Sequence, residues 1–116
     1  MINWIELSSI ENFEEAVSAS FADPVLIYKH STRCPVSSMA LDRLERTLPE
    51  DIKVMTFYLD LIRYRETSDA IERTLRVEHQ SPQVILIHEG KAIYDTSHMA
   101  IDGRQIASEL SNYTDS

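Results

Sequence analysis

The run Val25-Leu26-Ile27-Tyr28-Lys29-His30-Ser31-Thr32-Arg33-Cys34-Pro35-Val36-Ser37 decides how the rest of the chain is read. It opens with four consecutive apolar residues, the pattern of a short strand covered on both faces. Asp23-Pro24 breaks the chain just before it. Beyond Cys34, the residues Val36, Ala40, Leu44 and Leu48 fall on one helical stripe, with Asp42, Arg43, Glu45 and Arg46 on the remaining faces. Leu48-Pro49 ends that helix, because the residue before a proline avoids the helical region. A central strand therefore passes into a helix through the only cysteine of the chain.

The elements on either side follow from the same periodicities. Upstream, Ile10, Phe13, Ala16 and Val17 mark a helix between Ser8 and Ser20, with Ser8 and Glu11 as its capping box. Trp4-Ile5-Glu6-Leu7 offers an N-terminal strand. Downstream, Ile52 to Leu59 is rich in β-formers, and a helix runs from about Tyr64 to Leu75 with Ser68, Ile71 and Leu75 on one side. Val84-Ile85-Leu86-Ile87 and Ala92-Ile93-Tyr94 flank a turn containing Gly90, which reads as an antiparallel hairpin. Asp102 and Gln105 then cap a last helix striped by Ile106, Leu110 and Tyr113. A βαβ half followed by a hairpin and a helix predicts a single α/β domain over residues 1–116, with a mixed central sheet of four to five strands and helices on both faces.

Composition narrows the function. A formal charge of −8 argues against nucleic acid as the main ligand, since that affinity rests on clustered Lys and Arg. No apolar run approaches the roughly 18 residues of a membrane span, so no membrane partner is expected. The first residues lack a basic start followed by an apolar stretch, which makes a cytoplasmic location the expectation. One thiol cannot form an internal disulfide, so redox chemistry must involve a second molecule. The histidines form no zinc motif with Cys34, and no metal is expected.

Cys34 is placed to be more than a packed apolar group. As N-cap it would sit at the positive end of the helix dipole, with Pro35 at the first helical position, where a missing N–H is no loss. The N–H groups of Val36 and Ser37 would be the donors facing the sulfur. Arg33 adds a permanent charge, and the Ser37 hydroxyl could donate to the thiolate. At such sites a thiol ionises more readily than the ordinary value of about 8.5. A buried packing cysteine gains nothing from these neighbours.

Ser81-Pro82 stands immediately before the strand Gln83 to Ile87. A strand-start proline is common, but a cis-proline beside a reactive thiol would present the Ser81 backbone as a pairing edge for an extended peptide.

A strand, Cys-x-x-Ser at a helix start, then Ser-Pro before a hairpin and a last helix resemble the thioredoxin-like superfamily over essentially the whole chain. More narrowly, Lys29-His30-Ser31-Thr32-Arg33-Cys34-Pro35-Val36-Ser37, His79-Gln80-Ser81-Pro82-Gln83 and Thr96-Ser97-His98 resemble the monothiol bacilliredoxin family. That family typically carries Thr-Cys-Pro-Ile-Ser, so Arg33 and Val36 depart from it. The resemblance implies removal of bacillithiol from mixed disulfides on cytosolic proteins. Cys34 would take the adduct and a second bacillithiol would release it, with bacillithiol as cosubstrate and no tightly bound cofactor. Ser37 holds the place of a dithiol relative's resolving cysteine. Lys29 and Arg33 would contact the carboxylates of the thiol, with Thr32, Ser81 and Pro82 as further substrate contacts, and His30, His79 and His98 are candidates for the site. Two alternatives are an iron-sulfur carrier of the monothiol-glutaredoxin kind and a non-catalytic binding module. Pro35 and Val36 depart from the glutaredoxin pattern of a glycine and an aromatic.

Overall fold

The computed structural model describes residues 2–113. Strand β2 (Val25–His30) is buried at every position, because it is paired on both sides. It runs parallel to β3 (Met55–Asp60) and antiparallel to β4 (Gln83–His88). Strand β1 (Ile5–Glu6) lies parallel outside β3, and β5 (Lys91–Ser97) antiparallel outside β4, giving the order β1-β3-β2-β4-β5. The expected N-terminal strand is present, shortened to two residues.

Alternation along β2 divides the core. Val25 and Ile27 join Leu7, Phe13, Ile71, Leu75 and Ile85 on one face, under α1 (Ile10–Ala19) and α3 (Arg65–Leu75). Leu26 and Tyr28 join Ala40, Leu44, Val84, Ile106 and Leu110 on the other, under α2 (Pro35–Thr47) and α4 (Gly103–Leu110). Each fully buried aliphatic or aromatic side chain contributes about 1.5–3 kcal/mol, so this apolar alternation is what fixes the strand's register.

Helix ends differ from expectation by side-chain competition. Ser9, not Ser8, caps α1 by accepting Asn12 N–H, while the Ser8 hydroxyl bonds the Asn12 side chain. Asp102 caps α4 by accepting Arg104 N–H, and Gln105 bonds Glu109 instead of reaching back. Gly103 is needed there, since a Cβ would run into the backbone of Thr47 and Leu48. Tyr113 lies in a turn beyond the last helix.

The strand directions bring four segments to one end of the sheet: the β2–α2 junction, the β3–α3 loop, Ser81-Pro82 before β4, and the 3-10 turn His98–Ala100 after β5.

Candidate active site

Cys34 is the N-cap of α2 in extended backbone, with Pro35 at the first helical position, and the residue is half-buried. Its N–H bonds Ser31 O at 3.1 Å, closing the turn out of β2. Its carbonyl accepts Ser37 N–H at 3.1 Å and Ser38 N–H at 3.3 Å. The thiol itself caps no helical N–H, so Val36 and Ser37 give the sulfur their helix position and not the hydrogen bonds expected of them. Thr32 and Arg33 are exposed at the rim, and Val36 is half-buried.

Ser37 corrects a second expectation. Its hydroxyl is wholly buried, accepts Ser31 N–H at 3.1 Å, and bonds His30 Nδ1 at 2.8 Å. No hydrogen bond joins it to the sulfur. It secures the turn that carries Cys34. His30 is buried beside Tyr58 and Tyr28, with ring centroids 5.4 and 5.9 Å away. Burial lowers its pKa against the opposing pull of Asp60, which keeps it neutral. Tyr28, expected in the core, is there, and its hydroxyl also donates to Ser37 O at 2.7 Å. Burial pushes that phenol up to about 12. Met39 is 59% exposed on α2.

Ser81-Pro82 is a cis peptide. Continuing the antiparallel pairing of Lys29 with Gln83 by one step sets Pro82 beside His30, at the base of the Cys34 turn. Among the described residues no backbone hydrogen bond engages the N–H or C=O of Ser81, so that edge is open for pairing. His98 reaches the site through its backbone, its N–H donating to Pro82 O at 3.1 Å from a left-handed φ of 56°. Nothing in the local sequence signals that conformation.

Lys29 does not reach the rim. Its side chain is fully buried on the opposite face of β2 from His30. Period-2 alternation sends the adjacent Lys29 and His30 to opposite faces of the sheet. His79 meets Lys29 there, with Nδ1 at 3.2 Å from Nζ, and so lies behind the Ser81-Pro82 loop.

Solved structures place this arrangement in a known class. One described as a candidate oxidoreductase with a thioredoxin fold is 31% identical, with a TM-score of 0.80, covering 90% of this chain and 91% of its own. Thioredoxins of Malassezia sympodialis and of Halobacterium salinarum, the latter a single-substitution variant, are each 15% identical and share the fold, with TM-scores of 0.73 and 0.75. They cover 97% of this chain and 92% and 91% of their own. The protein is thus a thioredoxin-like thiol oxidoreductase. Within that class the family model of the monothiol bacilliredoxin BrxC matches residues 5–106, and the chain belongs to the monothiol bacilliredoxin family. No helix of the described residues is long and apolar enough to cross a membrane.

Proposed function

We propose that this chain removes bacillithiol from mixed disulfides on cytosolic proteins. The observation that supports this most is a single half-buried thiol at a helix start, beside the unpaired Ser81 edge, with a committed hydroxyl one turn on where a second sulfur would stand. The Cys34 thiolate attacks the bacillithiol sulfur. A Cys34–bacillithiol disulfide forms, the bond to the protein sulfur breaks, and the protein thiolate leaves and takes up a proton. A second bacillithiol thiolate attacks the same bacillithiol sulfur, giving bacillithiol disulfide and free Cys34. Arg33, with Thr32 and Val36 at the rim, faces the carboxylate-bearing thiol, and Ser81-Pro82 pairs with the extended protein segment.

The test is intact mass together with release of bacillithiol from a bacillithiolated protein. Wild type should acquire one bacillithiol and return to the free thiol when more is added, while Cys34→Ser does neither. A wild type that forms no adduct and releases no bacillithiol overturns the reading.

A further inference from the structure

The chemistry above makes no use of Lys29, although a fully buried ammonium costs folding free energy. Its hydrogen-bond partner is His79 Nδ1 at 3.2 Å. An ammonium only donates, so Nδ1 must accept, which fixes the imidazole as neutral with its proton on Nε2. Ser68 Oγ stands 3.5 Å from the same nitrogen, and Glu72 on α3 accepts His79 N–H at 2.8 Å. Buried Gln83 holds the rest of the segment, donating to Glu78 O at 3.0 Å and accepting Gln80 N–H at 3.3 Å. Residues 78–80 are thereby tied down on three sides, and the next residue is Ser81, whose backbone is unpaired.

We propose that Lys29 and His79 are a positioning pair that sets the Ser81-Pro82 edge to receive the extended peptide of a protein mixed disulfide. The chain then prefers disulfides that carry a peptide over those that do not. The proposal rests on the reading that Cys34 exchanges with protein mixed disulfides.

The pair has a pH dependence. Burial, Lys29 and Arg65 disfavour a charge on His79, Glu72 and Asp69 favour it, and the balance lies below the ordinary histidine value. Across from it on β4, Gln83 is uncharged. Acid that protonates His79 sets a second cation against the ammonium and loosens the segment.

The experiment compares two probes: a peptide whose cysteine is disulfide-bonded to 2-mercaptoethanol, and the peptide-free 2-hydroxyethyl disulfide. Cys34 thiolate takes the 2-mercaptoethanol sulfur from each, and the peptide thiolate or a second 2-mercaptoethanol leaves. The ratio of the two rate constants cancels the ionisation of Cys34, which attacks in both. Lys29→Met and His79→Leu should lower that ratio roughly tenfold, as misplacement of a binding edge does. His79→Gln keeps an acceptor for the ammonium, so it should hold the neutral-pH ratio while losing the acid-side fall of the wild type. An unchanged ratio in Lys29→Met overturns the proposal, as does a wild type with no peptide preference. An acid-side fall that persists in His79→Gln does not come from His79 and also overturns it. If Lys29→Met does not fold, His79→Leu against His79→Gln decides. Because the cap is not bacillithiol, failure of the bacillithiol reading leaves this readout standing.

Discussion

Ser37 serves two buried partners at once, Ser31 N–H and His30 Nδ1. Removing the hydroxyl strands both, and a buried polar group without a partner costs about 1–3 kcal/mol. Ser37→Ala should therefore lower the unfolding free energy by roughly that amount in urea titrations, whereas Thr32→Ala at the exposed rim should stay within about 0.5 kcal/mol. Equal effects would show that the hydroxyl does not hold the Cys34 turn. The sequence announces the cysteine, the proline after it and the serine one turn on, because helix-start chemistry is local. It does not announce that the serine answers to His30, since that depends on which face of β2 each residue takes. The same parity sends Lys29 away from the rim, where the family resemblance had placed it with Arg33.

At the scale of elements, α2 and α4 are joined where the end of one meets the start of the other. Asp102 accepts Arg104 N–H as N-cap and pairs with Arg43 of α2 at 3.1 Å, while Gly103 N–H bonds Thr47 Oγ1 at 2.7 Å. The capping N–H of Arg104, then the Arg43 and Arg104 side chains, hold the Asp102 carboxyl down at about 2 against a smaller cost of burial. A carboxyl depressed in the folded state contributes stability that is present above its ordinary value of 3.8 and lost as pH falls through about 2. Asp102→Ala should cost about 0.5–2 kcal/mol at neutral pH, the usual range for a lost N-cap. The deficit should shrink in the window from pH 3.8 to about 2 as the wild type protonates. A deficit that stays constant there would leave the charge without a role. The helix was legible because Asp102 precedes an apolar stripe. Its partner Arg43 was not, because 59 residues separate them.

For the whole molecule, the order of strands and helices follows from periodicity, and with it the sheet. The meeting of distant loops at one end follows only from register, such as Lys29 opposite Gln83. The same register buries Lys29 and makes global stability depend on pH. Burial lowers Lys29 from 10.5 to about 8, outweighing the opposing pull of Glu72 and Asp69. An unfolded chain keeps that proton up to about 10.5, so between about 8 and 10.5 unfolding takes up a proton and stability rises with pH. Below about 8 the full cost of the buried charge is present. Lys29→Met should thus have the higher urea midpoint at neutral pH, and the gap over wild type should close as pH rises from about 8 toward 10.5. Tyr28 and Tyr58, both raised by burial, titrate alkaline in the two proteins alike and cancel in the difference. A gap independent of pH would mean that Lys29 holds its proton as firmly in the folded protein as in the unfolded chain, and burial would then not be what sets its ionisation.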